Sequence, residues 1–414
     1  MKKLRIAMLS VHSCPNKQPG GKDTGGMNVY VKELAKDIGR KGNLVDVYTR
    51  AHDPEENGII RFGSNSRLIH IKSGDITELD KLTIYRYLNN FAENMIKFIE
   101  THKLQYDLIH SHYWMSGYVG DLIQNRMEIP HITMFHTLGS VKNAIGIGET
   151  EPDFRIRAEK DLVRKCHKII ASTEAEKEQL VHHYDAIPEV ISVIPCGVNL
   201  RLFKSIDKRI ARQELQLNDE TNIILFVGRI VPLKGIENLV RAMTYLKDNK
   251  FKLFIVGGDD YSYHEVNRLK KLSRHLHLED SVIFLSSMDQ KILTYYYSAA
   301  DVCVIPSYFE SFGLIALESL ACGTPVVATD VGCMKSVIQE LKTGYILNDN
   351  APRNLADRIS ELLSRSNLNA NSIRESIIKF NWSNISKAIL KEYRSTLECA
   401  NPKPFQTIDL SSIP

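Results

Sequence analysis

Short apolar runs separated by stretches of helical spacing recur along this chain, and they do so in two blocks. Ile6–Val11, Leu44–Tyr48, Leu108–His110, His131–Phe135, Lys168–Ala171 and Ile191–Ile194 make up the first set. Ile223–Val227, Lys252–Val256, Val282–Leu285, Val302–Ile305 and Val326–Ala328 make up the second. Between the first two runs, Val31, Leu34, Ala35 and Ile38 repeat at helical spacing up to about Gly42. After Ile223–Val227 a loop, Gly228–Gly235, leads into a helix from about Ile236 to Leu246. Alternation of this kind predicts βα units, mostly parallel sheets and two α/β domains.

The length, 414 residues, fits two or three domains. The blocks meet within Pro195–Asp219, a charged stretch with Pro195, Gly197 and no strong strand. The expected division is 1–200, then 201–380, then a terminal helix over 381–400. Trp382, Ile385, Ala388, Ile389 and Tyr393 give that helix an apolar stripe, expected to pack back on the first domain. Residues 401–414, rich in Pro and Ser, read as a loose tail. No tandem repeat is visible.

Composition excludes several classes. The net charge is only +4, from 53 Lys+Arg and 49 Asp+Glu, which argues against a nucleic-acid partner. Hydrophobic residues at 43% and charged ones at 25% are those of a folded globular chain. The 7 cysteines are odd in number and contain no C-x-x-C pair, so neither a disulfide framework nor a structural zinc site is expected. Reduced thiols point to the cytoplasm. The start Met-Lys-Lys-Leu-Arg-Ile resembles a signal peptide only superficially, because Arg5 breaks the apolar run and no cleavage site follows. No run reaches a membrane span, which leaves peripheral membrane contact open.

Four segments could carry chemistry. Lys22-Asp23-Thr24-Gly25-Gly26-Met27-Asn28 follows the first strand and opens a helix. Its glycines allow close backbone approach, and free N–H groups at a helix start favour an anion. A tight βα turn without a ligand accounts for the same residues equally well. It is neither a Gly-x-Gly-x-x-Gly fingerprint nor a P-loop. In Gly228-Arg229-Ile230-Val231-Pro232-Leu233-Lys234-Gly235, two cations follow a strand end, where open parallel sheets bind ligands. They suit a diphosphate, and a solvated basic loop is the competing account. Glu310 and Glu318 flank Ser311-Phe312-Gly313, a turn into a helix. Spacing alone favours a capping carboxylate plus a surface Glu. The alternative is that the two hold different parts of one extended ligand. Finally, His110-Ser111-His112-Tyr113-Trp114 and His136-Thr137 follow strands and look like a pocket wall. Their spacing matches no metal motif, and structural histidines are the more common case.

Together these motifs resemble the retaining GT-B glycosyltransferases of family 4 across nearly the whole chain. Gly25-Gly26, the Gly-Arg-x5-Gly segment, Pro306-Ser307-x2-Glu310-Ser311-Phe312-Gly313-x4-Glu318 and Ala321-Cys322-Gly323-Thr324-Pro325-Val326-Val327 occur in the family's order. Ser10-Val11-His12, Gly25 to Val31, His110 to Gly117, His136-Thr137-Leu138 and Val141-Lys142-Asn143 are similar to the D-inositol-3-phosphate glycosyltransferases of the mycothiol pathway. Sucrose-phosphate synthases share Asp23-Thr24-Gly25-Gly26 and the E-x7-E region but typically carry Gln at the position of Met27.

The resemblance implies a GT-B fold, two Rossmann-like domains facing each other across a cleft. It implies a UDP-sugar donor held mainly by the second domain. Arg229 and Lys234 would meet the diphosphate, and Glu318 the ribose hydroxyls. Glu310 and the backbone of Phe312, Gly313 and Leu314 would hold the sugar and phosphate. Gly26 would let the first domain close over the donor, and His136 would lie near the reacting centre. A phosphorylated polyol acceptor would meet His12, Asp23, Thr24, Asn28, Lys81, Tyr113, Thr137 and Arg155. The implied catalytic set is His136, Arg229, Lys234 and Glu310, acting by front-face attack. No cofactor is expected to be tightly bound and no metal to be required; the pair Asp259-Asp260 lacks the Asp-x-Asp spacing.

The expected activity is transfer of N-acetylglucosamine from a UDP-sugar to 1D-myo-inositol 3-phosphate. A sucrose-phosphate-synthase-like transferase is the alternative. So are another UDP- or GDP-sugar transferase of glycan or lipid synthesis and a non-catalytic sugar-nucleotide-binding protein. Family relatives are often dimers, which leaves a homodimer open.

Overall fold

The structure, a computed structural model, describes residues 2–18, 20, 24–55, 58–246, 250–365 and 368–400. The tail 401–414 lies outside them. Two sheets form. The first contains β1 (Arg5–Leu9), β2 (Leu44–Arg50), β3 (Ile59–Gly63), β4 (Ser66–Ile71), β5 (Leu108–His112), β6 (His131–Met134), β7 (Lys168–Ala171) and β8 (Ile191–Val193). Its order is β3-β4-β2-β1-β5-β6-β7-β8. Every pair is parallel except β3–β4 at the edge. The second contains β9 (Asn222–Val227), β10 (Phe251–Val256), β11 (Val282–Leu285), β12 (Val302–Ile305), β13 (Val326–Thr329) and β14 (Gly344–Leu347). It is wholly parallel, in the order β11-β10-β9-β12-β13-β14.

Central strands are buried from end to end, as in β5, β12 and β13, because helices cover both faces. Helix Gly26–Arg40 buries Val31, Leu34, Ala35 and Ile38, the residues of the predicted stripe. Burying each of the larger ones contributes about 1.5–3 kcal/mol. The helix expected over Ile236–Leu246 is α-helical only to Ala242, and its last turn tightens to a 3-10 helix over Met243–Tyr245. The seven cysteines form no disulfide, and all but Cys399 are buried.

Helix Trp382–Ala400 lies against Gly26–Arg40 of the first domain. Trp382 meets Tyr30 edge-on at 5.3 Å between ring centroids. A Cβ on Gly197 would stand 2.6 Å from Trp382 Cδ2, so only glycine permits this approach. Ser386 Oγ donates to Asp37 Oδ2 at 2.5 Å, Ser192 Oγ donates to Glu392 Oε2 at 2.8 Å, and Tyr393 OH lies 2.6 Å from His110 Nδ1. The chain therefore passes between the domains twice, near 194–207 and near 378–382.

In each sheet the first strand sits where the winding reverses, β1 between β2 and β5, β9 between β10 and β12. Loops leaving such strands diverge and open a crevice at the carboxyl edge.

Candidate active site

Both crevices open into one cleft of about 310 Å³ between the domains. His12, Thr24, Gly26, Asn28, Lys81, Tyr113, His136, Thr137 and Arg155 line it from the first domain. Arg229, Lys234, Glu310, Phe312, Gly313, Leu314 and Glu318 line it from the second. Asp23 lies outside the described residues.

On the second-domain wall, β9 runs into Gly228, and a 3-10 turn over Pro232–Lys234 ends at Gly235, whose φ is +66°. A Cβ there would come within 2.0 Å of the Pro306 carbonyl oxygen. The glycine thus lets the Arg229–Lys234 loop pack flush on the loop after β12. Lys234 Nζ donates to Glu310 Oε1 at 2.6 Å, and Ser307 Oγ donates to the same oxygen at 2.8 Å. Burial pulls the Lys234 pKa below its usual range, the Glu310 charge opposes that pull, and Arg229 adds to it.

The loop then turns at Gly313, φ +104°, into helix Leu314–Ala321. Phe312 is buried, and its carbonyl accepts a bond from Cys333 N at 2.8 Å, which fixes the turn from behind. Glu318, one turn inside, is buried. Tyr297 OH donates to its Oε2 at 2.9 Å and Gln290 Nε2 to its Oε1 at 3.3 Å. Burial pushes its carboxyl up to about 7, against the two hydrogen bonds. A carboxylate so placed is a strong acceptor for hydroxyl donors. The competing account of Glu318 as a surface residue does not hold.

On the first-domain wall, Tyr113 has φ +76° and ψ 155°, and His136 has φ +61°. Such backbone costs about 1–3 kcal/mol per residue and concentrates at ligand sites. The Tyr113 ring lies 4.4 Å from His12 and 4.9 Å beneath the Arg155 guanidinium. His136 Nε2 and His112 Nδ1 are 2.9 Å apart, one ring donating to the other. Burial pushes His136 down to about 3, so it meets a ligand as a neutral ring. His110, whose partner is Tyr393, lies tilted beside His112 and does not line the cleft, and these rings do not converge as ligands of one ion.

Two candidates are already engaged. Asn28 accepts bonds from Ser13 Oγ (3.0 Å) and Gly25 N (3.2 Å) and donates to the Cys14 carbonyl (2.7 Å). It anchors the glycine loop to the start of helix Gly26–Arg40. Arg155 is 1% exposed. It donates to Glu159 at 2.7 Å, to both oxygens of Thr137 at 3.0 Å, and is paired with Glu151 at 2.7 Å. Lys142, part of the Val141-Lys142-Asn143 segment, also lines the cleft and is paired with Glu151. Its signal was its position: it sits in helix Gly139–Ile145, directly after His136 and Thr137.

A family model described as Glycosyltransferase Family 4 matches residues 24–202, and one described as Glycosyl transferases group 1 matches residues 207–378. A D-inositol 3-phosphate glycosyltransferase of Corynebacterium diphtheriae is 38% identical over 372 residues, 88% of this chain and 87% of that one. Its namesake from Mycobacteroides abscessus is 37% identical over 398 residues, 95% and 89%. Among solved structures, sucrose-phosphate synthase from Thermosynechococcus elongatus superposes with a TM-score of 0.89 at 32% identity, covering 96% of this chain and all of that one (100%). Anabaena HepE in complex with UDP-glucose, at 19% identity and TM-score 0.75 over 95% and 100%, shares the fold. The two domains, their shared cleft and these matches place the chain in family 4 of the glycosyltransferases, as an enzyme of the GT-B fold.

Proposed function

We propose that the enzyme transfers a sugar, N-acetylglucosamine as the first candidate, from a UDP-sugar to a phosphorylated polyol, 1D-myo-inositol 3-phosphate. The observation that carries this reading is the pairing of two cationic walls across one cleft. Arg229 and Lys234 line one side of it, and Lys81 and Lys142 line the other. One set suits a diphosphate leaving group and the other an acceptor phosphate. The names of the two bacterial relatives support the inositol phosphate.

On this reading the donor diphosphate replaces Glu310 at Lys234. Glu310 turns to a sugar hydroxyl, and Glu318 accepts from the ribose. The anomeric centre lies beside neutral His136. The acceptor hydroxyl attacks from the face the diphosphate leaves, the departing phosphate takes its proton, and configuration is retained. Arg229 and Lys234 stabilise the charge that develops on the phosphate, which is the larger part of the protein's contribution. These cations do the work that a divalent metal would do, so none is required. Lys81 and Lys142 hold the acceptor phosphate, and His12, Tyr113 and Thr137 orient its ring.

A sucrose-phosphate-synthase-like reaction is the second reading, favoured by the TM-score of 0.89 to that enzyme and opposed by Met27. The deciding experiment is UDP release from a panel of UDP-sugars, with inositol 3-phosphate or fructose 6-phosphate. Release that requires UDP-N-acetylglucosamine plus inositol 3-phosphate is expected, lowered at least about tenfold in Lys234→Ala, roughly 1.4 kcal/mol of barrier. Release with UDP-glucose plus fructose 6-phosphate would establish the second reading instead.

A further inference from the structure

In the first domain, three metal-donor side chains from three separate elements come together. Cys14 lies in the loop after β1, His52 just beyond the end of β2, and His70 in β4. One ligand atom from each falls within 4.8 Å of the others, and no other such group occurs among the described residues. Cys14 Sγ and His70 Nε2 are 3.7 Å apart. Tetrahedral zinc, with Zn–S near 2.3 Å and Zn–N near 2.05 Å, requires a sulfur–nitrogen separation of about 3.6 Å. The third residue, His52, offers a ring nitrogen within 4.8 Å of both.

The rings are already held in the manner of metal ligands. His70 Nδ1 lies 3.1 Å from the Gly58 carbonyl and His52 Nδ1 lies 3.4 Å from the Arg50 carbonyl. A proton kept on Nδ1 by a backbone oxygen leaves Nε2 with the lone pair, the arrangement that orients histidine toward an ion. Cys14 and His52 are buried while His70 is partly exposed, which gives an ion a route in.

We propose that Cys14, His52 and His70 bind one zinc ion, with a water molecule as fourth ligand. One thiolate and two imidazoles form a borderline-soft set that selects zinc over magnesium or calcium. Binding releases the thiol proton of Cys14 and forms one Zn–S and two Zn–N bonds, with no redox change. Its effect is to tie the loop after β1 to the ends of β2 and β4. That loop carries His12, and its Cys14 carbonyl receives the Asn28 bond, so the ion would brace the acceptor wall from behind. The site is not part of the transfer chemistry, and it stands whatever the acceptor proves to be.

The test uses the full-length reduced protein, stripped with a chelator, desalted and titrated with Co²⁺ and then Zn²⁺. Expected is one equivalent of Co²⁺ with tetrahedral visible bands and a thiolate-to-cobalt charge-transfer band, displaced by Zn²⁺. The charge-transfer band should vanish in Cys14→Ser and persist in Cys399→Ser, the exposed-thiol control. Zinc affinity, measured against a chromophoric chelator, should fall at least tenfold in His52→Ala and in His70→Gln. Zinc should also raise the melting temperature of the wild type but not of His70→Gln, whose partly exposed position makes it the variant expected to fold. Absence of a thiolate band, its persistence in Cys14→Ser, or zinc affinity unchanged in His70→Gln would each overturn the site and leave a thiol–imidazole contact only.

Discussion

Glu318 shows how placement, rather than residue type, sets a group's chemistry. On the surface it would be ionised at every physiological pH; inside helix Leu314–Ala321 its carboxyl is pushed up to about 7 by burial. If its anion receives the donor's ribose hydroxyls, donor affinity must rise with pH. Between pH 6 and pH 8 the ionised fraction of such a group grows about tenfold, and the UDP dissociation constant should tighten by a similar factor. Calorimetric titration of UDP across that range checks this, and Glu318→Gln should flatten the profile. A wild-type profile already flat would remove the ribose role. The stability sign is opposite to that of a salt-bridged acid. The folded pKa lies above the unfolded one, so Glu318 favours the folded state below about pH 4.5, and that contribution is lost as pH rises toward 7 and beyond.

At the scale of elements, the donor wall depends on one loop packing flush on another. Gly235 makes this possible, since a Cβ would lie 2.0 Å from the Pro306 oxygen and its φ is +66°. Gly235→Ala should cost about 1–3 kcal/mol, lower the melting temperature by several degrees and reduce kcat/KM by displacing Lys234. Thermal melts together with steady-state kinetics test both halves; an unchanged melt would mean that the loop yields without cost. Legibility from sequence follows the same physics. The strands buried on both faces announced themselves as continuous apolar runs. β3 did not, because it is the edge strand and faces water, with Arg61 in its middle; β4 lies inside the sheet, but Arg67 and His70 break its apolar run. β14 opens on Gly344 directly after a turn, which leaves only Tyr345, Ile346 and Leu347 as its apolar run.

Across the whole molecule, the two lips of the cleft already touch. Leu314 Cδ1 stands 3.4 Å from where a Cβ on Gly26 would lie, and Ser172 Oγ donates to the Ser311 carbonyl at 3.3 Å. Gly26 is itself exposed, so a larger residue there burdens the approach of the domains and not a core. Gly26→Leu should lower kcat/KM at least tenfold with a melting temperature within about 2 °C of wild type, since surface substitutions rarely exceed about 0.5 kcal/mol. Paired kinetic and thermal assays decide it: full activity would show that the lips need not meet for transfer. Helix Trp382–Ala400 adds a second tie between the domains, through Trp382 on Tyr30 and Tyr393 on His110.

By itself the sequence determined the α/β class, the two blocks, and the segments that end at strand termini, since these rest on local periodicity and on residues adjacent in the chain. It also carried the family's ordered motifs. Only the tertiary structure decided what those residues are chemically. Arg155, a free cation on paper, is spent on Glu151, Glu159 and Thr137. Burial pushes the Glu318 carboxyl up to about 7, and burial holds His136, which sits against His112, down. Cys14, His52 and His70 share no sequence spacing, yet parallel pairing of β1, β2 and β4 sets their elements side by side. The reason is one of range. Periodicity reports which side of an element is buried, whereas charge state and ligand sets depend on neighbours that arrive from distant parts of the chain when the sheets close.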